Sequence, residues 1–174
     1  MKLTWFGGTA LRVYVGGEIV VIDAETAPAV VDRGELLAGA DRVLAFGDAI
    51  AVIDPTAWRP EPVGRAIDEP LATDVFRIGD SALLLAAAAE PPLVLLGPGE
   101  LPRFGRWADG GVIVLLSARE ALVAEVTAML DVARPRLVAL AVDEQTLDLV
   151  IEEIAEHLGG AGLVSMEPGL ALEV

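Results

Sequence analysis

Leu3-Thr4-Trp5-Phe6-Gly7-Gly8-Thr9-Ala10-Leu11-Arg12-Val13-Tyr14-Val15-Gly16-Gly17-Glu18-Ile19-Val20-Val21-Ile22-Asp23 decides how the chain begins to fold. Leu3 to Phe6 is apolar and aromatic-rich, and Gly7-Gly8 breaks it. Leu11 to Val15 alternates and stops at Gly16-Gly17, after which Glu18 to Asp23 resumes as a β-branched run. Strand side chains point to alternate faces, so these runs suit a sheet with one face buried. Joined by Gly-Gly, the last two predict a hairpin with a primed turn, whose central residues need the positive φ that glycine adopts freely.

Outward from this stretch, the sequence predicts a short helix over Gly34 to Ala40 and a strand over Arg42 to Phe46. Pro55 to Pro70 carries four prolines with little periodicity and reads as loop. Asp74 to Ile78 and Ala82 to Ala88 form a second hairpin around Gly79-Asp80, and Val75 to Asp80 loosely echoes Val13 to Gly17, a hint of internal duplication. Leu93 to Leu96 and Val112 to Leu116 are continuous apolar runs, as strands buried on both faces require.

The C-terminal third alternates helix and strand. Ser117-x-x-Glu120 is a capping box, and Leu122, Val126, Met129 and Leu130 follow at helical spacing until Pro135 closes the segment. Arg136 to Val142 is a strand. Asp143 caps a second helix with a stripe of Leu147, Val150, Ile151, Ile154 and Leu158, stopped by Gly159-Gly160. Leu163 to Met166 and Ala171 to Val174 flank Glu167-Pro168-Gly169 as a last turn-linked pair. Hairpins first, then strand–helix–strand–helix without a linker, predict one domain over residues 1–174, an α/β (α+β) fold of packed sheet and helix layers.

With 54% hydrophobic and 22% charged residues, the 174-residue chain has the material for a large core and the wrong balance for disorder. The formal charge of −15 and twelve scattered Lys and Arg argue against nucleic acid and anionic membrane surfaces, both of which need clustered cations. No apolar run approaches the roughly 20 residues of a bilayer span. No apolar segment follows Lys2 closely enough for a signal peptide, so a cytoplasmic protein is expected. Cysteine is absent, which excludes disulfides, thiolate nucleophiles and thiolate metal sites.

Leu3 to Leu11 followed by Gly16 to Asp23 resembles the metallo-β-lactamase fold superfamily. The resemblance is closest to its branch of predicted metal-dependent hydrolases that includes the ascorbate-6-phosphate lactonases. That branch opens with a strand ending Trp-Leu-Gly-His, then a Gly-Gly hairpin leading to Leu-Ile-Asp-Pro. Ala40 to Leu44 resembles the strand before the family's histidine-rich motif, and Leu93 to Gly97 the strand before its Gly-Asp-Thr. Ala133 to Val138 resembles the approach to its last histidine, and Leu163 to Leu170 its closing strand pair. The resemblance implies a four-layer αββα sandwich in a compact version, with two metals at one edge of the sheets activating a bridging water.

Carried over position by position, the family's ligands are missing. The first histidine falls on Gly8, and the Thr-His-x-His-x-Asp-His run falls on Phe46, Gly47, Asp48, Ala49, Ile50, Ala51 and Val52. The bridging aspartate falls on Pro98 and the last histidine near Ala141. A divalent ion surrenders its hydration only to imidazole, thiolate or carboxylate donors, and apart from Asp48 these positions offer none. The chain has a single histidine, His157, in the last turn of the C-terminal helix, where a surface role suffices.

Other chemistry is thin. Asp23, Asp48, Asp54, Glu100 and Asp143 follow apolar strands, where α/β proteins place ligands. Of these, Asp48, Asp143 and Glu100 are the candidates nearest the emptied site. Each has an ordinary reading as a cap or turn residue. Gly97-Pro98-Gly99 is not a phosphate loop, and Ser81, Ser117 and Ser165 have no histidine base. Trp5, Trp58 and Trp107 could line a pocket, although Trp5 suits the core better, and Trp58 and Trp107, in Pro- and Gly-flanked segments, could instead sit at a subunit interface.

Three readings follow. The first is a catalytically degenerate, cofactor-free metallo-β-lactamase-fold protein kept as a binding or interaction module for a small molecule or a protein partner, with a homodimer left open. The second is a hydrolase with a carboxylate-only cation site at Asp48 and Asp143. The third is an unrelated structural α/β domain, which a structure without two facing mixed sheets would favour.

Overall fold

The computed structural model describes residues 1–60, 72–116 and 122–174. Strand β1 (Lys2–Gly7) turns at Gly8-Thr9 into β2 (Ala10–Val15), which returns through Gly16-Gly17 as β3 (Glu18–Ile22). Gly16 and Gly17 have φ of 58° and 84°, the positive values of the expected primed turn. Leu11, Val13 and Val15 face inward and Tyr14 outward, as the alternation predicts. A short helix α1 (Arg33–Leu37) follows, with Asp32 accepting the Gly34 N–H at its start. It ends before Ala40 because Ala38 turns to ψ of 116° and, with Gly39 at φ of 64°, closes a turn in which the Ala40 N–H donates to Leu37 O. The chain then enters β4 (Arg42–Leu44), parallel to β3.

The second sheet repeats the plan. β5 (Asp74–Gly79), β6 (Ala82–Ala86) and β7 (Leu93–Leu96) run antiparallel, and β8 (Val112–Leu115) lies parallel to β7. The first turns share a register but not a backbone conformation, since Gly7 and Gly8 have positive φ and Gly79 does not. Gly7 pairs with Ala10 and Gly79 with Ala82, each after a register shift. Phe6-Gly7-Gly8-Thr9-Ala10-Leu11 therefore matches Ile78-Gly79-Asp80-Ser81-Ala82-Leu83. This register sets Val75–Asp80 against Leu3–Gly8, rather than against the expected Val13–Gly17.

Helix α2 (Leu122–Val132), β9 (Leu137–Leu140), α3 (Glu144–His157) and β10 (Gly162–Ser165) follow, with β8, β9 and β10 mutually parallel. The capping box at Ser117 and Glu120, and the proline-rich stretch over 61–71, lie outside the described residues. The closing strands need a correction. Leu163 and its neighbours pair with β9 in the second sheet, whereas β11 (Ala171–Glu173) pairs with β1 in the first. The Glu167-Pro168-Gly169 turn carries the chain from one sheet to the other, and the Gly169 N–H donates to Trp5 O at 2.7 Å.

The sheets run β11-β1-β2-β3-β4 and β10-β9-β8-β7-β6-β5, each mixed in direction. Leu3, Leu11, Val13 and Ile22 of the first pack with Leu83, Leu85, Leu95 and Val114 of the second, so the faces of the two sheets share one core. The other face of the second sheet, with Leu84, Val94 and Ile113, packs against Leu122, Val126, Met129 and Ile154 of α2 and α3. The other face of the first, with Phe6, Ala10 and Val21, packs against Leu36 of α1. β7 and β8 are buried at every position, which accounts for their unbroken apolar runs.

Trp107 is buried and stands edge-on to Trp58 at 5.1 Å, with Phe104 at 6.2 Å and Pro55 O accepting its Nε1–H. These rings pack on the outer face of the second sheet, so Trp107 belongs to the core of the chain. Glu90 ties the halves together: Oε1 accepts the Gly16 N–H at 2.8 Å, and Oε2, which accepts no well-directed hydrogen bond, lies 3.1 Å from the N-terminal ammonium. Among the described residues no helix is long and apolar enough to cross a membrane.

Candidate functional site

Four chain segments end around one open cavity of about 450 Å³. Trp5 and the Gly7-Gly8-Thr9 turn come from the β1–β2 hairpin, Thr26 from the loop after β3, Leu116 from the end of β8, and Ala141-Val142-Asp143 from the segment joining β9 to α3. Leu116 and Ala141 sit side by side because the parallel ladder runs on past the strands. The Leu116 N–H donates to Leu96 O and the Ala141 N–H to Leu115 O, each at 2.8 Å. Strand ends of this kind, where the sheet stops and loops diverge, are the usual place for a ligand in α/β proteins.

The walls are mostly apolar. Leu116 and Ala141 are almost wholly buried, and Trp5 and Val142 keep only 6% of their surface exposed. The Trp5 Nε1–H donates to Gly8 O at 3.0 Å, which pins the indole over the turn. Gly8 holds φ of 54°, and a Cβ there would lie 2.9 Å from Thr26 O, so no side chain reaches inward from this position without moving the neighbouring loop.

One rim is a hydroxyl–carboxylate knot. Thr9 Oγ1 donates to Asp23 Oδ2 at 2.8 Å, Thr26 Oγ1 donates to Asp23 O at 2.9 Å, and the two hydroxyl oxygens are 2.8 Å apart. The other carboxylate oxygen of Asp23 accepts the Phe46 N–H at 3.1 Å. Asp23 itself is in the left-handed region with φ of 48°, which an aspartate tolerates better than most residues. Asp23 therefore fixes the hairpin turn, the loop after β3 and the loop after β4 to one another.

Of the sequence candidates, Asp143 lines the cavity. It is also the cap of α3: Oδ1 accepts the Thr146 N–H and Oδ2 the Thr146 hydroxyl, both at 2.9 Å. The backbone N–H and then the hydroxyl of Thr146 hold its carboxyl below the ordinary aspartate value. Asp48 is not among the lining residues, and its carboxylate folds back onto the Ala45 N–H at 2.7 Å. Glu100 is exposed and also absent from the lining. Asp54 closes a turn onto the hydroxyl and N–H of Thr56, which lower its pKa in that order. His157 sits at the far end of α3 from Asp143, with its Nδ1–H donating to Glu153 O at 2.8 Å.

The positions matched to the family's ligands separate in the same way. Gly8 and Ala141 line the cavity, whereas Gly47, Ala49, Ala51 and Val52 are not among its lining residues. Phe46, which falls on the threonine of that run, is buried with its ring against Gly97, where an added Cβ would come within 3.1 Å. Among the described residues no group of three or more His, Cys, Asp or Glu is placed to hold a metal ion. Sequence reasoning missed Thr9, Thr26, Leu116 and Val142 as lining residues. Thr9, next to Gly8 in the turn, was the one recoverable from position alone.

No family model, curated protein or solved structure matches the chain.

Proposed function

We propose that this chain is a degenerate metallo-β-lactamase-fold protein whose strand-end cavity serves as a metal-free binding site for a small organic molecule. Two facing mixed sheets, with helices packed on their other faces, suit the αββα layering of that fold. One observation carries the reading: Gly8, which falls on the family's first histidine, and Ala141, near the place of its last, are distant in sequence yet line the same cavity. Glycine and alanine offer no side-chain donor to a metal, and the remaining lining is chiefly apolar. A concavity with apolar walls and few polar groups gains affinity from burying apolar surface.

The reading is tested on the full chain by backbone amide chemical shifts during titration with 2-phenylethanol, a neutral apolar probe, without added metal. Shift changes clustered at Gly8, Thr9, Leu116, Ala141 and Val142 are the expected result, with a dissociation constant near the millimolar range for so small a molecule. Changes absent from these residues, or scattered over the surface, would refute it.

A further inference from the structure

The described side chains that line the cavity offer hydrogen-bond acceptors but no free donor. The Trp5 Nε1–H is spent on Gly8 O. Thr9 and Thr26 have two hydroxyl protons for three close oxygen contacts, so both are consumed within the knot around Asp23. Asp143 brings a carboxylate whose two oxygens each accept one hydrogen bond from Thr146 and keep a further lone pair. Among the described residues no Lys, Arg or His lines the cavity, and the chain as a whole carries −15. The amino end of α3 opposes this charge with about half a unit of positive dipole, which the full negative charge of Asp143 outweighs. Among the described residues, a ligand with an anionic head would meet a carboxylate and no cationic side chain.

Resting on the reading of this cavity as a binding site, we propose that its ligand is a primary amine with an apolar body. The ammonium sits at the Asp143 rim, supplying the donors that the lining side chains lack. The apolar body lies against Trp5, Leu116, Ala141 and Val142. Burial of the body supplies most of the affinity, and the charged head sets the choice among ligands of equal size.

Three probes of one shape and different charge separate the outcomes: 2-phenylethylamine, 2-phenylethanol and phenylacetate, each titrated into the full chain and followed at the amides of Gly8, Ala141 and Asp143. The amine should bind more tightly than the alcohol by up to about fivefold, the ratio set by an exposed ion pair, and phenylacetate most weakly. Raising the salt concentration should shrink the amine's advantage. In Asp143→Asn, whose amide oxygen still caps α3, the advantage should vanish. Should that variant fold poorly, the salt series on the unaltered protein still tests the charge preference. An amine that binds no better than the alcohol, a preference indifferent to salt, or tighter binding of phenylacetate overturns the amine proposal and leaves the binding site standing. Silence from all three probes overturns both.

Discussion

Asp143 belongs both to α3, whose first turn it caps, and to the cavity, whose rim it charges. Its role as a cap was legible in the sequence, because an aspartate between an apolar strand and a helical stripe has few other uses. Its place beside Gly8 was not, since 135 residues separate them and only the packing of two sheets brings them together. Thr146 stabilises the charged form, so the contribution of Asp143 to folding is complete above the ordinary aspartate value of about 3.9. It is lost as pH falls through the lower value of the folded state. Asn cannot titrate there. Denaturation midpoints of the unaltered protein and Asp143→Asn, measured from pH 7 down to pH 3, should converge on the acid side, with the unaltered protein losing more. Parallel curves over that range would show that the Thr146 contacts do not operate in solution.

The β2–β3 hairpin shows what an element owes to its neighbours. A Cβ on Gly16 would lie 2.7 Å from Thr73 Oγ1 and 2.9 Å from the Ala87 Cβ, whereas one on Gly17 meets nothing within 4 Å. Both residues have positive φ, so alanine costs backbone strain at either place, and only Gly16→Ala adds a collision with the second sheet. Gly16→Ala should destabilise the protein by about 1–3 kcal/mol and Gly17→Ala by clearly less, as read from urea denaturation. Equal losses would mean that the close approach of the halves is not tight.

The turn at Gly16-Gly17 was legible, because two glycines between alternating runs have one common solution. β7 and β8 were equally legible from their length and unbroken apolarity. The fate of the last two strands was not. Leu163 to Met166 and Ala171 to Val174 look like a hairpin locally, and nothing within ten residues reveals that β9 and β1 offer each a longer-range partner. The aromatic cluster of Trp58, Phe104 and Trp107 was hidden for the same reason. Its members stand in proline- and glycine-flanked segments that carry no periodicity to show which face they cover.

Over the whole molecule, charge and composition set what the cavity can do. The sequence offers one histidine and no cysteine, so a metal would have to be held by carboxylates. The two candidates for that role part company, Asp143 on the cavity rim and Asp48 turned back on its own loop. The central claim, an organic binding site where metal ligands have been lost, is therefore open to a direct count. The purified protein is incubated with Zn2+ and Mn2+, desalted, and its metal content measured by mass spectrometry. The account predicts far less than one ion per chain. Retention of about one Zn2+ or Mn2+ per chain, lost in Asp143→Ala, would contradict it and return the cavity to metal chemistry.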